Sequence, residues 1–120
     1  MIYTTYFAKL KTLPESIIPV AICGKAPDWF HGLQYKILAP RWDFFSEWKK
    51  SRDNHYYVEH FQQDVLDRLD VGYVLNDLKQ LAGSDEIALV CYEKPEDFCH
   101  RHIVANWFRE NGIQIKEFGT

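Results

Sequence analysis

The stretch EIALVCYEKPEDFCHRHIVANWF, residues 86–108, indicates the fold more clearly than any other part of the chain. Its first seven residues, Glu86–Tyr92, are apolar almost throughout, which is typical of a strand that is covered on both faces of a sheet. A polar turn follows, and Pro95 suits the start of a helix, where its missing N–H costs nothing and where Glu96 and Asp97 would face the positive end of the helix dipole. We therefore predict a strand, a short loop and a helix that begins at Pro95.

Two runs near the N-terminus predict two more strands, and the C-terminal segment predicts a fourth. Ile2–Phe7 is rich in β-branched and aromatic residues, and Ile17–Cys23 is apolar almost throughout. Pro19 argues against the second assignment, because proline cannot donate a hydrogen bond to a neighbouring strand. The residues IQIKEF, 113–118, follow a helix stop at Asn111–Gly112 and predict the last strand.

The middle of the chain predicts a long loop followed by three helices. Residues 25–40 contain two prolines, a glycine and several aromatic residues without a helical period, so we predict an ordered loop. Residues 41–51 then predict a short amphipathic core helix with exposed lysines. Helical spacing predicts a second helix with an apolar stripe of Tyr57, Val58, Phe61, Val65 and Leu69, and a third, between an Asp70 cap and Gly83, with Val74, Leu75, Leu78 and Leu81.

The order of these elements is strand, strand, helices, strand, helix, strand, which is typical of an α/β layer structure. We predict one α/β domain over residues 1–120, with a small, mostly parallel sheet flanked by helices in a Rossmann-like three-layer arrangement. With 120 residues and 47% hydrophobic content, the chain is long enough for one core and too short for two ordinary domains.

Charge and hydropathy exclude several classes of protein. The formal net charge of −3 and a pI near 5.9 argue against a protein that holds nucleic acid by bulk positive charge, although a local basic cleft remains compatible with them. No apolar run approaches the roughly 20 residues of a membrane span, and the N-terminus lacks the features of a signal peptide, so we expect a cytoplasmic protein without a membrane partner. Three cysteines, an odd number, fit a reducing compartment in which the thiols stay free.

The turn between the third predicted strand and the last helix concentrates reactive side chains at the carboxyl edge of the sheet, where open α/β folds bind ligands. Cys99 would lie near a helix N-terminus beside Arg101, and both features favour a thiolate, whereas Glu96 and Asp97 oppose it. His100 and Arg101, together with helix N–H groups, suit a phosphate or another oxyanion. The candidate catalytic residues are Cys91, Glu93, Cys99, His100 and Arg101.

The second predicted strand would deliver further side chains to the same edge. The candidate ligand-binding residues there are Cys23, Lys25 and Trp29. Lys25 would attract an anion, and Trp29 could stack on a base or a sugar or could instead cover part of the core.

Each of these residues also has an ordinary structural interpretation. Free cysteines are most often small buried hydrophobes, histidines on an apolar helix face are often hydrogen-bonded core residues, and helix arginines are commonly solvated. A metal site of Cys91, Cys99 and His100, with Cys23 as a fourth ligand, would supply donors that tetrahedral zinc accepts. Because the adjacent residues Cys99 and His100 would strain to reach one ion, we assign no metal ligand and leave the cofactor open.

The stretch IALVCYEKPEDFCHR, residues 87–101, followed by HIVANWF, resembles the signature of domain-of-unknown-function family 488 (DUF488): a strand ending in Cys, a nearby Glu, and Cys-His-Arg on the next helix. The segments IYTTYF, AICGKAP, LAP and YVEHFQQDVLDRLD are similar to compact bacterial or phage-type members, so the resemblance covers most of the chain. Longer members have an Asp-Val-Arg turn after the second strand, where this chain has Ile22-Cys23-Gly24-Lys25. The resemblance implies a site of Cys91, Glu93, Cys99, His100 and Arg101, with Lys25 in place of the missing arginine's charge.

Three functions of different classes fit these residues. The leading hypothesis is a small enzyme or ligand-binding domain for an anionic ligand such as a nucleotide or nucleic-acid fragment. In it Lys25 and Arg101 hold the anion, a cysteine is the nucleophile, and His100 or Glu93 moves protons. The second is a non-catalytic module in which the motif is a buried polar network or a metal clip between helix and sheet. The third is an interaction protein with an exposed aromatic patch remote from the motif.

Overall fold

A computed structural model describes residues 1–119 and contains one compact α/β domain with a five-stranded sheet and flanking helices, as predicted. The strands are β1 (Ile2–Tyr6), β2 (Ile18–Ala21), β3 (Leu33–Gln34), β4 (Ile87–Cys91) and β5 (Ile115–Glu117). The helices are α1 (Trp42–Ser51), α2 (Asn54–Asp64), α3 (Val71–Ala82) and α4 (His100–Glu110). The sheet order is β3-β2-β4-β1-β5, and every pairing is parallel.

Strand β4 occupies the centre of the sheet because all five of its side chains can be buried. It pairs with β1 on one side and with β2 on the other, with Tyr6 opposite Cys91 and Ala21 opposite Val90. Since these parallel strands end at nearly the same level, the residues that follow them meet at one edge of the sheet.

Pro19 is accommodated in β2 because its missing N–H would face a part of the sheet that has no partner strand. The N–H groups of Ile18 and Ile22 donate to the neighbouring β4 side, at the carbonyls of Glu86 and Val90. Along a strand, alternate N–H groups point in opposite directions, so Pro19 faces the β3 side. There β3 begins only opposite Val20, and no ladder hydrogen bond is lost.

The two faces of the sheet are covered unequally. Ile87, Leu89 and Cys91 belong to the main core with the four α-helices, whereas Val90 belongs to a smaller second core. That second core is closed by a 3₁₀-helix, Phe7–Thr12, and by part of the loop after β2. The third layer of the predicted three-layer arrangement is therefore thin, which brings loop residues close to the sheet edge.

The predicted caps of α3 are confirmed. The Asp70 carboxylate accepts a hydrogen bond of 2.9 Å from the backbone N–H of Tyr73, one of the N–H groups that a helix start leaves without a partner. Gly83 ends the helix with a φ of +65°, a conformation that residues with a side chain rarely adopt. Asp53 caps α2 in the same way, through the N–H of Tyr56.

The predicted start of the last helix is wrong, since α4 begins at His100 and not at Pro95. The N–H of Asp97 donates to the carbonyl of Lys94, so Pro95 lies inside a four-residue turn. Proline fits the second position of such a turn as well as it fits the first turn of a helix, and the sequence signal is the same for both. Cys99 is consequently the N-cap residue of α4, with an extended backbone.

Other boundaries also differ from the prediction. The predicted loop of residues 25–40 contains the short strand β3 and a 3₁₀-turn, Lys36–Leu38. The second helix, α2, ends at Asp64, and the chain continues as a 3₁₀-turn. Within α2 only Tyr57 and Phe61 are buried. Of the two predicted apolar stripes, Val65 and Leu69 lie outside α2. Val58 on α2 and Leu81 on α3 are exposed.

All three cysteines are buried free thiols. Within residues 1–119, none of the helices combines the length and the apolar character needed to cross a bilayer.

Candidate active site

A cavity of about 470 Å³ opens at the carboxyl edge of the sheet, where the sequence predicted a cleft. The residues after β2, the residues after β4 and the start of α4 converge there, because β2 and β4 are neighbours and end in register. Six of the predicted site residues line this cavity: Cys23, Lys25, Cys91, Glu93, Cys99 and His100.

The floor of the cavity contains two thiols and an imidazole that are almost completely buried. The Sγ atom of Cys91 lies 3.5 Å from Nε2 and 3.7 Å from Nδ1 of His100. His100 Nε2 lies 2.7 Å from the carbonyl oxygen of Ile22, and because a carbonyl can only accept, Nε2 carries the proton and donates it there. This bond fixes the ring and leaves Nδ1, 3.7 Å from the Cys91 Sγ, on the side of the thiols, where it can donate to a thiolate only in the imidazolium form.

The two thiols have opposite electrostatic roles. The pKa of Cys99 is lowered well below its ordinary value, first by a hydrogen bond from the Cys91 thiol and then, against the effect of burial, by His100 and the backbone N–H of Arg101. The pKa of Cys91 is raised, first by burial and then by its hydrogen bond to Cys99. These opposite shifts favour ionisation of Cys99 before Cys91.

Glu93 lies at the rim of the cavity with a carboxyl that titrates near neutrality. Partial burial, followed by the charge of Cys99 and a hydrogen bond to it, raises the pKa of Glu93 to about 7. A carboxyl in this range can both donate and accept a proton at physiological pH. Cys23, which also lines the cavity, has a pKa that burial raises, so the neutral thiol is favoured.

Arg101 is not part of the cavity surface, contrary to the expectation that it would bind an anion there. Its side chain is fully buried, and Nε and Nη2 donate to the Glu117 carboxylate at 3.2 and 3.0 Å. Nη1 donates to the carbonyl of Glu93 at 2.7 Å. Burial opposes its charge, but the Glu117 hydrogen bonds raise the pKa of Arg101. Arg101 thus connects α4, β5 and the loop after β4.

Trp29 also lies outside the cavity. It is 59% exposed and packs edge-on against Phe7, with ring centroids 5.9 Å apart, so it covers the second core. Lys25 is nevertheless held at the cavity, since the Tyr92 hydroxyl donates to its backbone carbonyl at 2.5 Å.

Much of the remaining cavity wall consists of aromatic side chains that the sequence did not assign to a site. They are Trp42, Phe45, Trp48, Tyr57 and Phe98, together with Tyr92 from the loop after β4. The sequence interpretation placed the rings of α1 in the core, because an amphipathic helix is usually explained by core packing. The available signal was the excess of large rings on α1, more than one helix face can bury.

Cys91, Cys99 and His100 also form a group that could hold a metal ion, since their ligand atoms lie within 4.8 Å of one another. Two thiolates and an imidazole are donors that zinc accepts, and the hydrogen bond from the second ring nitrogen to a carbonyl is common in metal-binding histidines. Cys23, the fourth ligand considered from the sequence, is not part of this group.

Comparisons with known proteins agree with the resemblance noted in the sequence. No curated protein and no solved structure matches the chain. The sequence model of a family described as "Active DUF488-N3 subclade", DUF488-N3a, matches residues 6–112, a range that includes the whole stretch from Cys91 to Arg101. The chain therefore belongs to the DUF488-N3a family.

Proposed function

We propose that the chain is a small enzyme that acts on an anionic ligand with a planar ring, such as a nucleotide or a nucleic-acid fragment, and that Cys99 is its nucleophile. The observation that carries this proposal is the position of Cys99 on the cavity, with its Sγ within 4.8 Å of the Cys91 Sγ and of a His100 ring nitrogen. The lowered pKa of Cys99 agrees with it, because it favours the thiolate. A thiolate, unlike a thiol, is a strong nucleophile, and a buried one without a reactive role would be costly to maintain. The family description as an active subclade agrees with this proposal.

The reaction class that these groups support is nucleophilic displacement at carbon. Cys99 attacks an electrophilic carbon of the ligand, a carbon–sulfur bond forms, and the bond to the leaving group breaks as Glu93 donates its proton to that group. The Glu93 carboxylate then removes a proton from water, which attacks the same carbon and releases Cys99 as the thiolate. A pKa near 7 allows Glu93 to fill both roles.

Binding is divided between a cation and aromatic rings. Lys25 is at the cavity and supplies the positive charge for the anion, whereas Arg101 is occupied by Glu117 and positions the loop that carries Glu93. The rings of Trp48, Tyr57 and Phe98 offer flat apolar surfaces for a planar group.

The second candidate is a non-catalytic module in which Cys91, Cys99 and His100 hold a metal that clips α4 to the sheet. The specific observation in its favour is the mutual distance of their ligand atoms, within 4.8 Å. In that case the thiols would be shielded by the ion, and removal of the ion would weaken folding as well as expose them.

The test is the alkylation rate of each cysteine by iodoacetamide from about pH 5 to about pH 9, mapped by mass spectrometry. We expect Cys99 to react at a rate nearly independent of pH, Cys91 and Cys23 to stay inert, and adenosine monophosphate to protect Cys99. The same measurement with a chelator identifies the metal module, because only then would chelation release reactivity. If all three thiols remain inert with and without the chelator until the protein unfolds, the nucleophile assignment is wrong.

A further inference from the structure

We propose that the outer face of α1 binds single-stranded nucleic acid and presents one of its bases to the cavity. This inference rests on the proposed function and narrows its substrate from any planar anion to a nucleotide within a strand. It follows from a mixed aromatic and basic surface at the cavity mouth.

The surface comprises Trp42, Phe45 and Lys49, which spacings of three and four place on one side of α1, and Arg52, the residue that ends the helix. Trp42 is 71% exposed, the largest value among the large hydrophobic side chains of the described chain. The acidic residues of α1, Asp43 and Glu47, share a different side by the same spacing. This surface is therefore locally basic on a chain with a net negative charge.

Each cation of this surface lies close to a ring of α1. Lys49 Nζ lies 5.5 Å from the centroid of the Phe45 ring, and the Arg52 guanidinium carbon lies 4.6 Å from that of Trp48. Proteins that bind single strands combine rings on which bases stack with cations that follow the phosphates. The paired arrangement supplies both along α1 and the residue that ends it.

A continuous series of rings leads from this surface to the nucleophile. Trp42 and Phe45 have centroids 6.2 Å apart, Phe45 and Trp48 6.0 Å, and Trp48 and Phe98 5.6 Å. Phe98 immediately precedes Cys99, and all four rings line the cavity. A base that stacks on the outer rings can therefore move inward along aromatic surfaces until its nucleotide reaches the thiolate.

A single strand fits this surface better than a duplex or a membrane. In a duplex the bases are stacked and paired, and a base must leave the helix before a buried group can reach it. A membrane would need an apolar face to insert, yet Phe44 is buried in the core, Trp48 is partly buried, and the outer face combines two rings with two cations.

The experiment is fluorescence anisotropy with a labelled single-stranded DNA of about 12 nucleotides, its duplex, and phosphatidylserine-containing vesicles as a separate arm, at about 50 mM salt. The Cys99→Ser protein is used so that no turnover occurs. We expect the single strand to bind at least about tenfold more tightly than the duplex, and Trp42→Ala and Lys49→Glu each to weaken it about tenfold. Comparable binding of the duplex or the vesicles would overturn the inference.

Two matched controls separate this surface from general effects of charge and hydrophobicity. Lys116→Glu makes the same charge change at an exposed lysine that also lies over a ring, Tyr3 at 5.9 Å, but on β5. Tyr73→Ala removes a ring that is 66% exposed on α3. We expect neither control to change the affinity, and an equal loss in either control would contradict the inference.

The result is independent of the alkylation test. If Cys99 is inert but the strand binds through Trp42 and Lys49, the surface stands and the nucleophile assignment fails. If Cys99 reacts rapidly and adenosine monophosphate protects it, but the strand binds no better than the mononucleotide, the proposed function stands and this inference is wrong.

Discussion

Two buried polar clusters meet at the first turn of α4, and they differ in their surroundings. Arg101 gives hydrogen bonds to Glu117 and to the carbonyl of Glu93, and it is completely enclosed by protein. His100 and the two thiols at residues 91 and 99 face a cavity instead. Adjacent residues of one short motif therefore enter environments of opposite kind.

This contrast predicts that substitutions in the two parts of the Cys-His-Arg motif have different effects. Removing the cation from a closed cluster leaves a largely buried carboxylate without its counter-charge, so the cost is a loss of stability. A cluster that faces a cavity can change its partners, so an altered residue there affects reactivity more than folding. The four predictions below test this division, beginning with the largest effect.

Replacement of the buried guanidinium should be the most damaging change. We expect Arg101→Met to lower the free energy of unfolding by about 3–5 kcal/mol, because Glu117 loses its buried partner. Urea denaturation measures this loss. The matched control is Arg41→Met, at an arginine whose pair with Asp43 is exposed on both sides, for which we expect a change of less than about 1 kcal/mol. Equal effects of the two replacements would show that burial of the pair is unimportant.

Removal of the donor thiol should slow the reaction of its neighbour. The hydrogen bond from Cys91 is the largest cause of the lowered pKa of Cys99, so Cys91→Ala should raise that pKa. At about pH 6 we expect alkylation of Cys99 to slow by about tenfold or more, as its thiolate fraction falls. Cys23→Ala, which also removes a buried thiol of the cavity, should have a smaller effect. An unchanged rate in Cys91→Ala would mean that His100 and the backbone N–H of Arg101 are enough to keep the pKa of Cys99 low.

The carboxyl at the rim should make stability depend on pH. Because the fold raises the pKa of Glu93 from an ordinary 4.5 to about 7, its contribution to stability is fully present below pH 4.5 and is lost as the pH rises through 7. Glu93→Gln should abolish this loss. Between pH 4.5 and 7 the free energy of unfolding of the variant should therefore rise by about 1 kcal/mol relative to that of the wild type, a value that allows for screening by solvent at the rim. Urea denaturation at both ends of the range, with Glu96→Gln as the control in the same loop, measures the gain. A constant difference across the range would contradict it.

The smallest effect is expected at the anchor of Lys25. Tyr92→Phe removes the hydrogen bond from the phenol to the Lys25 carbonyl, at an exposed site, and should cost about 0.5 kcal/mol of stability. Because the bond holds the cavity wall, the affinity for adenosine monophosphate should fall more noticeably, and titration calorimetry can measure it. A stability loss as large as that of Arg101→Met would show that the Tyr92 hydrogen bond is as important for folding as the buried contacts of Arg101.

Much of the fold could be predicted because it depends on short-range patterns. The apolar run of β4, the Asp70 cap and the Gly83 stop each act through neighbours within a few residues, and all three are present. The start of α4 was misplaced since Pro95 fits a turn and a helix start equally well. A pattern that satisfies two local structures cannot distinguish them without the rest of the chain.

The position of the candidate site was predictable for the same reason. Parallel strands that end in polar turns bring those turns to one edge, and Cys23, Lys25, Cys91 and Glu93 do line the cavity there. The aromatic wall was not predicted because rings on an amphipathic helix give the same signal in a core and in a cavity.

The linear order of residues was enough to establish an α/β domain, its sheet edge and the reactive motif, because periodicity and strand ends are local properties. It could not show that Arg101 is enclosed while His100 faces a cavity, nor that Trp42 stands exposed at its mouth. Those outcomes depend on Glu117 and on α1, which are brought to the motif by folding from 16 residues after Arg101 and from the middle of the chain. Burial and charge pairing are properties of that assembly, and so is the division of the motif into a structural and a reactive half.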